Sequence, residues 1–125
     1  MNHNLSKKIL IVDDELEIVQ TIKMFLEISG YEHIYDACSG KEALEIIKSE
    51  EIDLVISDVR MPDMDGISFA KAAKELFPEK IIFLMITGQS ELTLEEAKKL
   101  GAKELLLKPL DLDHFIEVID RYLQS

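Results

Sequence analysis

Basic residues are scarce in this chain, with 14 lysines and arginines against 25 aspartates and glutamates, giving a formal charge of −11 at pH 7 and an isoelectric point near 4.6. The sequence-independent part of nucleic-acid affinity needs an excess of cations, so direct nucleic-acid binding is not expected. There is one cysteine, Cys38. It cannot form an internal disulfide, and nothing points to an oxidising compartment. No stretch reaches the roughly 18 apolar residues of a membrane span, and Met1 to Lys8 is polar where a secretion signal needs an apolar run. A cytoplasmic protein, neither exported nor membrane-inserted, is therefore expected. Repeats, linkers and low-complexity segments are also missing. With 47% apolar residues in 125, the chain can build one real core, and a single domain over residues 1–125 is expected.

What is present is an alternation of two hydrophobic periods. Ile9 to Val12, Leu54 to Ile56, Ile81 to Ile86 and Leu105 to Leu107 are continuous apolar runs, the pattern of strands buried on both faces. His33 to Ala37 alternates polar and apolar, which suits an edge strand. Between the runs, Ile18, Val19, Ile22, Phe25 and Leu26 share one helical face, and Phe69, Ala70, Ala73, Leu76 and Phe77 repeat the pattern. Ala43, Leu44 and Ile47 follow a capping box of Ser39 and Glu42, and Phe115, Val118, Ile119 and Tyr122 follow Asp111. A further helix is expected over about Thr93 to Leu100. The five glycines fall at element ends, and Pro62, Pro78 and Pro109 lie outside element interiors.

The order βαβαβαβαβα implies a parallel sheet covered by helices on both faces, because crossovers are right-handed. This is a doubly wound α/β sandwich. Ligands of such sheets bind beyond the carboxyl ends of the strands, so the polar residues there carry the functional argument.

The first strand runs into Asp13, Asp14 and Glu15, and the third, after Ser57, into Asp58. The fourth ends in Thr87 and Gly88 and the fifth in Lys108 and Pro109. Each residue alone has an ordinary explanation: Asp14 as a helix N-cap, Asp13 and Asp58 as turn residues, Lys108 as a solvated charge, Pro109 as a helix stop. Together they do not. Three carboxylates at one edge repel one another and raise each other's pKa unless a cation is present. All-oxygen ligands suit Mg²⁺, and the absence of clustered His or Cys argues against zinc.

The acidic pair Asp13 and Asp14, the run from Asp58 through Val59, Arg60 and Met61 to Pro62 with Asp65 and Gly66, then Thr87 and Lys108-Pro109, together resemble the receiver domains of two-component response regulators. The resemblance covers about the whole chain. It implies a flavodoxin-like three-layer sandwich with a five-stranded parallel sheet in the order 2-1-3-4-5. It also implies that Asp58 accepts a phosphoryl group from a phosphohistidine of a sensor kinase or phosphotransfer protein. Asp13, Asp14, Asp58 and the backbone carbonyl of Arg60 would hold Mg²⁺, and Thr87 and Lys108 would contact the phosphoryl oxygens. The chemistry agrees, since phosphoryl transfer needs an in-line nucleophile and charge neutralisation more than acid–base groups. A surface on the fourth helix, fifth strand and fifth helix would carry the signal to a downstream protein or output domain. Self-phosphorylation and slow autodephosphorylation are implied, with no separate substrate. The Lys108–Pro109 peptide is expected to be cis.

Three positions depart from the family pattern or vary within it. Leu105 stands where many receivers have Tyr or Phe, so the aromatic swing that reports phosphorylation is not available. Arg60 and Gln89, two residues beyond Asp58 and Thr87, flank the path of an attacking water. Other readings compete. A haloacid-dehalogenase-type phosphatase expects a second aspartate where Arg60 stands. A flavodoxin needs Gly, Ser and Thr where this chain has Asp13, Asp14 and Glu15. A receiver-like interaction domain not regulated by phosphorylation is the third alternative.

Overall fold

The computed structural model describes residues 6–59, 66–76, 81–88 and 93–123. Five strands alternate with five helices: β1 Lys8–Val12, α1 Leu16–Ile28, β2 His33–Ala37, α2 Gly40–Ser49, β3 Leu54–Asp58, α3 Gly66–Leu76, β4 Ile82–Thr87, α4 Leu94–Lys99, β5 Ala102–Leu107 and α5 Leu112–Leu123. All pairings are parallel and the sheet order is β2-β1-β3-β4-β5. The expected topology holds, with β2 at an edge.

The continuous apolar strands are explained by two cores. Leu10, Val12, Val55, Phe83 and Met85 point to one side of the sheet, where they meet Ala43 and Ile47 of α2, Phe69, Ala70 and Ala73 of α3, and Ala97 of α4. Ile9, Ile11, Leu54, Ile56, Leu84 and Ile86 point to the other, against Val19, Ile22 and Leu26 of α1 and Phe115, Val118, Ile119 and Leu123 of α5. Successive side chains alternate faces, so a strand buried on both must be apolar throughout.

Local details differ from expectation. β3 extends through Ser57 to Asp58, β1 starts one residue earlier, β4 is shifted by one, and β5 begins three residues earlier at Ala102. Backbone pairing to a neighbouring strand, which hydropathy does not report, extends these elements. Leu76, expected on the core-facing side of α3, is exposed, and Phe77 lies outside the described residues. At α2, Ser39 Oγ accepts the Glu42 N–H at 3.2 Å, but the Glu42 carboxylate accepts the Cys38 N–H at 2.8 Å instead of closing on Ser39. The full reciprocal box occurs at α4, between Thr93 and Glu96. Asp111 caps α5 through the His114 N–H.

Helix α1 ends in a Schellman turn: Gly30 N–H donates to Glu27 O and Tyr31 N–H to Leu26 O, each at 3.0 Å. Gly30 has φ 101°, in the left-handed region that favours glycine. No helix among the described residues is long and apolar enough to cross a membrane.

Candidate functional site

Strand register brings the polar residues together. Val12 pairs with Ser57, Asp58 with Ile86, and Thr87 with Leu107. Each strand end therefore places the next residue beside its neighbour's, and Asp13, Asp58, Thr87 and Lys108 follow one another across the carboxyl edge.

Asp13 and Asp58 are buried, at 2% and 7% exposure, and Thr87 is buried too. Asp13 is tied to β2 by its N–H, which donates to Ala37 O at 3.1 Å. Its Oδ1 accepts the Glu15 N–H at 2.9 Å. The N-cap of α1 is consequently Glu15, without a side-chain cap bond, and not Asp14. Asp13, one residue further back, satisfies that backbone donor from the strand end, leaving the exposed Asp14 free of the capping role. The Ser57 hydroxyl donates to Asp58 O at 2.9 Å.

Lys108 reaches into this cluster. Its Nζ donates to Asp58 Oδ2 at 3.1 Å and to Glu15 Oε1 at 2.7 Å, and lies 3.3 Å from Asp13 Oδ2. The last contact is an ion pair without hydrogen-bond alignment, and Asp13 Oδ2 is a buried acceptor with no hydrogen-bond partner. The Lys108 N–H donates to Thr87 O at 2.9 Å, which ties the lysine to the end of β4. The Lys108–Pro109 peptide is cis, as expected. Gly88 packs beside the lysine stem, and a Cβ there would stand 3.8 Å from Lys108 Cδ, an ordinary contact.

The electrostatics follow from burial. Asp13 is pushed up to about 6 first by burial, with the Asp58 charge adding to it, while the Glu15 N–H and Lys108 pull the other way. Mutual repulsion, the expected main cause, is thus secondary to desolvation at Asp13. Burial alone would lower Lys108, but its bonds to Glu15 and Asp58 and the Asp13 charge outweigh this and raise it above its ordinary value. It stays cationic at any physiological pH.

One carboxylate oxygen from each of Asp13, Asp14 and Asp58 lies within 4.8 Å of the others. The orphaned Asp13 Oδ2 and an all-carboxylate donor set fit a hard divalent cation such as Mg²⁺, with part of the shell left to water. The Arg60 carbonyl, Gln89 and Asp65 lie outside the described residues. Leu105 is half-buried and packs against the α2–α3–α4 core.

The family model for the response regulator receiver domain matches residues 9–120. The chain is a response-regulator receiver domain. Sporulation initiation phosphotransferase F of Bacillus subtilis (strain 168) is 36% identical over 120 residues, covering 95% of this chain and 95% of that protein. The chemotaxis protein CheY of the same organism is 35% identical over 120 residues, covering 95% of this chain and 99% of that one. The transcriptional regulatory protein ZraR of Escherichia coli (strain K12) is 38% identical over 115 residues, 92% of this chain, but the receiver spans only 26% of ZraR's length. Among solved structures, the chemotaxis response regulator CheY4 of Vibrio cholerae matches with a TM-score of 0.84 and 32% identity, covering 94% of this chain and 99% of that one. Receiver domains are signalling modules of two-component systems that bind Mg²⁺ in an acidic pocket and interact with histidine kinases and phosphotransfer proteins. The family assignment favours this reading over the phosphatase alternative.

Sequence reasoning missed Glu15 as a site residue. Its adjacency to Asp13 and Asp14 was a signal, but its bond to Lys108 joins residues 93 positions apart.

Proposed function

We propose that Asp58 is the phosphoacceptor of this receiver, taking a phosphoryl group from a phosphohistidine of a sensor kinase or phosphotransfer protein in the cytoplasm. The supporting observation is the position of Asp58 at the end of β3, where one oxygen meets Lys108 Nζ at 3.1 Å and the carboxylate groups with Asp13 and Asp14. A carboxylate oxygen of Asp58 attacks phosphorus, an O–P bond forms, and the P–N bond breaks with its electron pair leaving on the imidazole. Asp13, Asp14, Asp58 and the Arg60 carbonyl would hold Mg²⁺, which supplies positive charge for the phosphoryl oxygens when bound. Lys108 supplies a second, fixed positive charge, and Thr87 contacts a phosphoryl oxygen. The chain performs this transfer on itself and acts on no separate substrate.

Phosphorylation then biases a two-state equilibrium that is read on the face formed by α4, β5 and α5, where Leu94 and Leu107 are exposed. A downstream protein or an output domain is the reader, and nucleic acid is not bound directly.

The test is intact mass after incubation with acetyl phosphate and Mg²⁺. One phosphoryl addition is expected, absent from a folded Asp58→Asn variant. Equal labelling of that variant excludes Asp58.

A further inference from the structure

Lys108 has three N–H donors, and three carboxylates surround it: Glu15 at 2.7 Å, Asp58 at 3.1 Å and Asp13 at 3.3 Å. Two of the three N–H groups are hydrogen-bonded, to Glu15 and Asp58, and the ammonium also lies against the Asp13 charge as an ion pair. An incoming phosphoryl oxygen competes with these carboxylates for the ammonium, and the contact that opens most readily is the one it replaces. Asp13 and Asp58 have side chains only 1% and 10% exposed and are fixed at strand ends, whereas the Glu15 side chain is 56% exposed. Glu15 can return to water at little desolvation cost, and the buried pair cannot. Its carboxylate does not cap α1, so it has no role in the helix start that would hold it in place.

We propose that Glu15 is a placeholder anion: it occupies the Lys108 donor that the phosphoryl group on Asp58 takes over, and it leaves when that group arrives. This rests on the reading of Asp58 as acceptor and Lys108 as its cationic contact. The shortest of the three contacts is made by the most exposed of the three carboxylates. Such an arrangement keeps the lysine drawn over the site and its charge compensated while Asp58 is free. It also makes Glu15 a competitor of the incoming anion. A dianionic group beside Asp58 would repel the Glu15 carboxylate and displace it into solvent, freeing one donor for a phosphoryl oxygen.

Glu15→Ala, Glu15→Gln and Glu15→Asp separate the bond from the charge. Aspartate keeps the charge but is one methylene shorter and withdraws from Lys108. Beryllofluoride, an acyl-phosphate mimic, is titrated by calorimetry at saturating Mg²⁺, and the rate of labelling by acetyl phosphate is followed by intact mass. Glu15→Ala and Glu15→Asp are expected to bind beryllofluoride and take up phosphoryl roughly two- to fivefold better than the wild type, the range of a half-exposed ion pair. Weaker binding or slower labelling would show that Glu15 orients Lys108 for the transfer, and overturns the proposal. A gain in Glu15→Ala and Glu15→Gln that is missing from Glu15→Asp assigns the effect to charge alone and overturns it too. The Lys108 ammonium ¹⁵N resonance of the metal-free protein gives an independent readout: it should move on Glu15→Ala, and an unmoved resonance refutes the bond. If wild-type protein takes up neither acetyl phosphate nor beryllofluoride, the reading of Asp58 fails, while that resonance still decides whether Glu15 holds the lysine.

Discussion

Asp13 carries a heavy electrostatic burden, pushed up first by its burial. With its pKa near 6 against 3.8 in a model peptide, the folded state holds this proton where the unfolded chain has released it. Stability therefore falls as pH rises from about 4 to about 6, and the whole cost is present above that window. A shift of this size corresponds to roughly 2–3 kcal/mol. Asp13→Asn should accordingly stabilise the metal-free protein in denaturant melts at pH 7.5, and the gain should shrink toward pH 4.5. A gain of equal size at both pH values would rule out burial of the charge as the cause. Mg²⁺ is expected to raise the thermal stability of the wild type and not of this variant, because ligand linkage acts only through an intact site.

At the scale of elements, the helix ends show how backbone chemistry positions the site. Helix α1 starts against Asp13 and ends at Gly30, and its register on the sheet is held by Val19, Ile22 and Leu26. Gly30→Ala forces a side chain into the left-handed region at φ 101° and should cost about 1 kcal/mol in unfolding free energy. Since Gly30 lies at the far end of α1 from Asp13, labelling of Asp58 by acetyl phosphate should be unchanged. A variant as stable as wild type would show that the turn relaxes to another geometry. The tie between Lys108 N–H and Thr87 O is the element-scale counterpart on the other side, joining β5 to the end of β4 where a phosphoryl group would be sensed.

For the whole molecule, the proposed reading requires that phosphorylation of Asp58 alter a face across the domain. Leu105 packs against the α2–α3–α4 core and pairs with Met85 on β4, so it offers neither the ring nor the hydroxyl that an aromatic swing requires. On the proposed reading, coupling is expected to run through Thr87. Allosteric coupling is typically about 1–3 kcal/mol, and a value near the low end gives a several-fold change in partner affinity. Leu105→Tyr should widen the affinity gap between beryllofluoride-activated and inactive protein, measured with the downstream partner, and Thr87→Ala should narrow it in both backgrounds. A gap undiminished by Thr87→Ala would route the signal elsewhere, such as through residues 59–66.

The fold and the roster of strand-end residues were legible from the chain alone because both depend on local pattern. Strands covered on both faces must be apolar at every position, so Ile9 to Val12 and Ile81 to Ile86 declare themselves, and the residues that interrupt such runs are conspicuous. Resemblance to receivers supplied the strand order, which periodicity does not encode. Other features arose only in three dimensions. Backbone pairing with β4 carried β3 on to Asp58, and Asp13 displaced Asp14 from the expected capping contact by bonding the Glu15 N–H. Desolvation, which depends on everything packed around a group, outweighed repulsion at Asp13. The Glu15–Lys108 bond joins the start of α1 to the end of β5, a contact that exists because parallel register brings both ends to one edge.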